Sequence, residues 1–341
     1  MKTGTTALAL GLSRLARLDQ LPDGVTFPVD SLWPFESGGR EIVKHSRQLK
    51  VLAGHLKGGH SAELRAVRMA LSGLVSGTRT RHRGQGFSDR TIFVWEGLAH
   101  VLGKRPSALE LFHEALLEHF DEVQYVFGIR RQDEALRSLY VQQIRGNRGE
   151  IFKENLSFAS FIRLRISEHA YDYFQIYKTF EAAGISDTFL PLDYLEENIG
   201  TSRYLQSFFS KIGAGLADVT ETSLDGRLVH PSLSIAVLSV IKKIRQVQAQ
   251  LPKGARLNTL LEALWIGIRT AELRRLDGVA KKSLKTARNL RFSVENGVRD
   301  EILRRYEESN SSLALKFPDL VLREWRNRDP WIIGPSATNS S

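Results

Sequence analysis

The chain has 341 residues, 42% of them hydrophobic, enough to bury a real core in one large domain or two of ordinary size. Lysine and arginine number 48 against 38 aspartates and glutamates, a formal charge of +10 whose field attracts nucleic acid, acidic lipid or acidic proteins. Cysteine is absent, which excludes disulfides, iron–sulfur clusters, thiolate zinc sites and cysteine nucleophiles and fits a reducing intracellular compartment such as the cytoplasm.

At the start, "MKTGTTALALGLSRLARLDQ" carries Arg14 and Arg17 inside a weakly apolar run and lacks a clean small-residue cleavage site, which argues against a secretory signal. Its Thr, Ser and Arg content, with no acid before Asp19, has some of the character of an organellar presequence. Leu8, Leu12 and Leu15 nevertheless stand at helical spacing and read as an ordinary amphipathic helix. Pro22, Pro28 and Pro34, with nearby glycines, make the rest of residues 1–39 a linker, so the segment reads as an N-terminal arm. No stretch approaches the ~18 apolar residues that span a bilayer, so a soluble chain without a membrane span is expected.

From residue 40 the dominant period is helical. "REIVKHSRQLKVLAGHL" places Ile42, Leu49, Leu52 and Leu56 near one face, and "KGGHS" breaks it. Ser61 can cap a helix with Leu64, Val67, Leu71 and Leu74 in step, and Ser88 can cap another through "DRTIFVWEGLAHVLG". Pro106 opens a fourth, with Leu109, Phe112, Leu116 and Phe120. Leu136, Leu139, Tyr140 and Ile144 mark a fifth. "SFASFIRLRISEHAYDYFQIYKTFEAAG" reads as one long central core helix. "SRYLQSFFSKIGAG", "SLSIAVLSVIKKIRQVQAQ", "LNTLLEALWIGIRTAELRRL" and "VAKKSLKTARNLRFSVENGVRDEILRRYEE" complete the series. Strand alternation is scarce. The expected class is therefore all-α, a multi-helix bundle with a lobe at 40–212, a long connection from Gly213 to Pro231, a basic lobe at 232–328 and a flexible tail at 329–341.

The usual chemical signatures are missing. His113 and His119 lie about 240° apart on a helix of 3.6 residues per turn, and position 117 is leucine, so no zinc-protease pair forms. His55 and His60 flank a glycine pair with no metal-site spacing. There is no phosphate-cradling G-x-x-x-x-G-K-[ST], no strand-flanked G-x-G-x-x-G and no G-x-S-x-G elbow. "KGGHS" has the converging amides and Lys57 to hold an anion, but a Gly-Gly helix break accounts for it. No metal, cofactor or catalytic residue is assigned.

"ALWIGIRTAELRRL", Ala263 to Leu276, resembles the arginine-bearing box of tyrosine recombinases, in which a Gly-x-Arg-x-x-Glu-Leu run precedes a leucine-rich turn. The resemblance implies that Arg269 clamps a scissile phosphate and that Glu272 supports it. That family also uses a later His-x-x-Arg box and a nucleophilic tyrosine. Here the last histidine is His230, before the fragment, and the sole later tyrosine is Tyr306. The catalytic set is incomplete, and an amphipathic helix with Leu261, Leu264, Ile268 and Leu273 also produces the pattern.

What remains is the placement of charge. Between Glu63 and Asp89 there is no acid, while Arg65, Arg68, Arg79, Arg81 and Arg83 accumulate, the last three beside Gly84 and Gly86. Arginine's planar fork suits phosphate, and glycine allows close backbone approach. Arg145 and Arg148 bracket a second basic loop. A third cluster contains Arg274, Lys281, Lys285 and Arg288, of which the last three would stack on one face if Gly278 to Phe292 is helical. Apart from Phe87, few aromatics stand near, so backbone contact rather than base stacking is expected. The sequence thus points to a non-enzymatic protein that binds the phosphate backbone of DNA or RNA with weak sequence preference, as a subunit of a nucleoprotein, packaging, mobile-element or defence assembly. A helical scaffold meeting an acidic protein, and a degenerate recombinase-like enzyme, are the alternatives.

Overall fold

The computed structural model describes residues 105–146, 157–165, 171–193, 202–214, 235–252, 256–282 and 296–320 without interruption, with shorter pieces within 8–44, 65–72 and 90–103. Of these residues 72% are helical, and the all-α class stands. In chain order the elements are β1 (Val25–Thr26), β2 (Trp33–Ser37), β3 (Arg40–Lys44), β4 (Arg90–Thr91), α1 (Pro106–Leu117) and β5 (Tyr125–Ile129). Then come α2 (Gln132–Gly146), α3 (Phe158–Arg165), α4 (Tyr173–Ala182), β6 (Phe189–Asp193) and α5 (Ser202–Lys211). The last are α6 (Ile235–Gln250), α7 (Arg256–Lys282), α8 (Asn296–Arg305) and α9 (Glu307–Lys316).

The chain forms two compact units, interleaved in sequence: Met1–Arg130 with Ser167–His230, and Arg131–Ile166 with Pro231–Ser341.

In the first unit, Leu8, Leu12 and Leu15 lie in one core with Val25, Phe27, Leu192, Tyr204, Leu205, Phe208 and Phe209. Gly11 sits where an added Cβ would fall 2.9 Å from a terminal methyl of Leu205, so a larger residue there would make the Leu205 side chain shift. A second core forms around β5 and β6, which pair in parallel from Tyr125↔Phe189 to Ile129↔Asp193. Tyr125, Phe127 and Ile129 alternate inward, the period-two pattern of a half-buried strand. Against them pack Phe180 and Tyr177 of α4. Ring centroids are 5.4 Å apart for Phe127 and Phe180, 4.9 Å for Phe127 and Phe189, and 5.7 Å for Tyr177 and Phe189. Buried Thr179 donates to the Gly103 carbonyl at 2.9 Å, and Tyr173 donates to the Arg130 carbonyl at 2.6 Å.

Three expectations are corrected here. The long central helix is two: α3 ends at Arg165 and α4 begins at Tyr173. Asp172 starts the second by accepting from the Gln175 amide at 3.1 Å, a short polar side chain occupying an N-cap. Arg40–Lys44, read as the start of a helix, is a strand paired antiparallel with Trp33–Ser37 in the register Ser37↔Arg40. Gly38-Gly39 between them is a hairpin signal. Arg90–Thr91 pairs in parallel with Val25–Thr26 instead of opening a helix at Ser88.

In the second unit, α2 packs with α3, α6 and α8. Leu136, Tyr140 and Ile144 are buried, as are Phe161, Ile162, Leu238, Ile241, Ile302 and Leu313. The buried polar pairs are directional. Gln132 and Asn310 exchange hydrogen bonds reciprocally, at 2.7 Å and 3.2 Å, and join the start of α2 to α9. Arg131 forks onto Asp133 at 2.6 Å and 2.9 Å. The segment 296–316 is broken at Tyr306 into α8 and α9.

Candidate nucleic-acid interface

The basic residues are best described on α7, the 27-residue helix of the second unit. Its inner side is set by Trp265 and Glu272, both buried, with Glu262 turned toward α6. Buried Arg245 of α6 donates to Glu262 at 2.6 Å and to Gln248 at 2.8 Å, and its guanidinium lies 4.3 Å from the centre of the Trp265 ring. Burial alone would raise the Glu262 pKa. Hydrogen bonds from Arg245 and Gln248, with the Arg245 charge, outweigh it and hold the carboxyl below the usual carboxylate range. Further along the helix, Arg275 forks onto Glu272, one turn before it, at 2.7 Å and 3.0 Å. Both glutamates are therefore committed to an arginine each.

Arg274 is exposed beside that pair and makes no ion pair among the described residues. Arg256 is exposed at the other end of the helix. The expected inner stripe of Leu261, Leu264 and Ile268 is corrected in part: Leu261 and Ile268 are half-buried, but Leu264 is exposed and Trp265 takes its place. Placing a large aromatic over a buried guanidinium outweighs the simple leucine period. Leu273 lies outside the described side chains.

Of the other basic residues singled out from sequence, Arg65 and Arg68 are helical and exposed in the first unit. Arg68 pairs with Glu118 at 2.6 Å, both side chains nearly half exposed, a contact weak enough for an anion to displace. Arg145 and Lys281 lie on α2 and α7 without described side chains, and Arg79, Arg81, Arg83, Arg148, Lys285 and Arg288 lie outside the described residues. Arg304 and Arg305, adjacent and exposed at the end of α8, were not singled out, although "LRR" closing a helix is legible as a basic C-terminal turn.

The two described histidines sit in local structure. His113 is buried with Nδ1 3.4 Å from the Tyr125 hydroxyl, and His119 Nε2 is 3.3 Å from Ser72 Oγ. Burial lowers the His113 pKa against the opposing pull of Asp187 and Glu114. Among the described residues no cluster of three metal-ligating side chains occurs. The recombinase-like fragment lies on α7; Glu272 is engaged by Arg275, the Arg269 side chain is not described, and Tyr306 is buried. No helix among the described residues is long and apolar enough to cross a membrane. Comparison with protein-family models, with curated proteins and with solved structures finds no match to this chain.

Proposed function

We propose that this protein binds nucleic acid through the phosphate backbone, as a non-catalytic subunit of a larger nucleoprotein assembly. The observation that carries the reading is the acid-free interval between Glu63 and Asp89, which holds five arginines in a chain of net charge +10. Arg65 is exposed within it, and Arg68 is exposed while paired with the half-exposed Glu118. On α7 the two described glutamates are each occupied by an arginine, which leaves Arg274 exposed for a phosphate oxygen. A phosphate neutralised by such groups releases condensed counterions, and this entropy drives binding without regard to base sequence.

The test is purification with and without nuclease, followed by fluorescence anisotropy on labelled duplex DNA, single-stranded DNA and RNA of mixed sequence. The expected result is nucleic acid co-purifying without nuclease, judged by absorbance ratio, and binding lost in the Arg79→Ala/Arg81→Ala/Arg83→Ala variant. Failure to bind any of the three probes at low salt overturns the reading.

A further inference from the structure

The side of α7 that points away from α6 is apolar, exposed and regularly spaced. Leu257, Leu260, Leu264, Gly267, Ala271 and Arg274 follow one another at intervals of three and four, which places them on a single line along the helix. Leu257 is 46% exposed, Leu260 66% and Leu264 51%. Gly267, Ala271 and Arg274 are exposed as well. The residues that face α6 and the core, Glu262, Trp265 and Glu272, lie on the other side. A helix with apolar residues on both sides buries both. Among the described residues one side has its neighbour and the other does not.

The line is about 25 Å long, from its seventeen-residue span and 1.5 Å rise per residue. Ile266, 46% exposed, stands on one flank. An added Cβ at Gly267 would meet nothing within 4 Å, so the middle of the line is low and open, and Ala263 and Ala271 beside it let a second helix come close. Charge identifies the occupant. The line is bounded by Arg256 at one end and Arg274 at the other, while the described glutamates of α7, half-exposed Glu262 and buried Glu272, are bound to Arg245 and Arg275. A second copy of the helix, parallel or antiparallel, would bring arginine against arginine at both ends, which destabilises pairing. We propose that this face receives an amphipathic helix of an acidic partner protein, its leucine seam on Leu257, Leu260 and Leu264 and its carboxylates on Arg256 and Arg274.

The experiment uses the full chain and two synthetic 21-residue helical peptides, alike in a leucine seam at heptad spacing, one flanked by glutamates and one by lysines. Fluorescence anisotropy of the labelled peptides reads binding, and light scattering reads the mass of the unliganded protein. Expected is at least tenfold tighter binding of the glutamate peptide and a monomeric protein. Leu260→Ser/Leu264→Ser, both exposed positions, should lose the peptide while leaving thermal unfolding and nucleic-acid affinity in place. Arg256→Glu/Arg274→Glu should reverse the preference toward the lysine peptide. Equal affinity for the two peptides, no affinity for either, or a dimer dissolved by Leu260→Ser/Leu264→Ser overturns the proposal, the last in favour of a second copy. Because nucleic-acid binding is read separately, its failure and the failure of this docking face are distinguishable.

Discussion

One region of the first unit is packed with rings, and one region of the second adds paired polar groups to an apolar core. Around β5, β6 and α4, the side chains of Tyr125, Phe127, Tyr177, Phe180 and Phe189 meet face to edge or stacked. Such packing is driven by apolar area removed from water and tolerates small shifts in angle. Around α2, α6 and α9, Gln132–Asn310, Arg131–Asp133 and Arg245–Glu262 fix positions by direction and distance. A satisfied network of this kind adds modest net stability, but losing one partner is costly because the other is left buried and unpaired. The difference between these two regions is one of mechanism: the ring cluster resists by volume, the polar pairs by complementarity.

The largest effect expected from this contrast is in the aromatic core. Phe180→Ala should remove about 3–5 kcal/mol, measured as lost hydrogen-exchange protection in β5, α4 and β6 with α2 and α6 protected as before. Equal loss in both sets of amides would break the contrast. In the second unit, Gln132→Leu should cost about 1–3 kcal/mol by orphaning the Asn310 amide. Gln132→Leu/Asn310→Leu should recover part of that, and the double-mutant cycle from denaturant unfolding gives the coupling directly. A double variant as damaged as the sum of the singles would show that volume governs here too.

A smaller effect concerns pH. The folded pKa of His113 lies below its ordinary value of 6.5 because the ring is buried. The unfolded chain therefore binds this proton more readily than the folded one, and the His113 contribution is complete above pH 6.5 and falls as pH drops below it. His113→Gln should flatten the stability profile between neutrality and the folded pKa, as read by thermal unfolding in a pH series. An unchanged slope would remove His113 from the account. The smallest expected effect is on stability from Arg274→Ala, within about 0.5 kcal/mol for an exposed surface residue, so any loss of nucleic-acid binding in that variant reports on contact alone.

The helices at 106–117, 132–146, 202–211 and 235–250 were legible because their apolar residues recur at three and four and their ends carry Pro106 or a polar break. Four of the strands were not, because each is short and its partner lies far off in sequence: Tyr125 pairs with Phe189, and Val25 with Arg90. β2 and β3 are neighbours, and there the helical spacing after Arg40 masked the Gly38-Gly39 signal. "YVFGI" does alternate, but five residues between two helical stretches do not outweigh the surrounding period. Asp172 was the missed break, a capping residue between aromatic runs that share one helical phase. At the candidate interface, the abundance of arginine was plain from sequence. Which arginines are spent on carboxylates was not: Arg275 on Glu272 follows from i,i+3 spacing, whereas Arg68 on Glu118 needs the fold.

The central claim, binding to phosphate by exposed guanidiniums, is tested most directly by the dependence of affinity on salt. A plot of log Kobs against log salt for a mixed-sequence duplex should be linear and steeply negative, with nearly the same slope for an unrelated sequence. Arg79→Ala/Arg81→Ala/Arg83→Ala should reduce that slope by about 2–3, since each neutralised phosphate contributes about 0.9. Affinity indifferent to salt, or a slope unchanged in the triple variant, would contradict it.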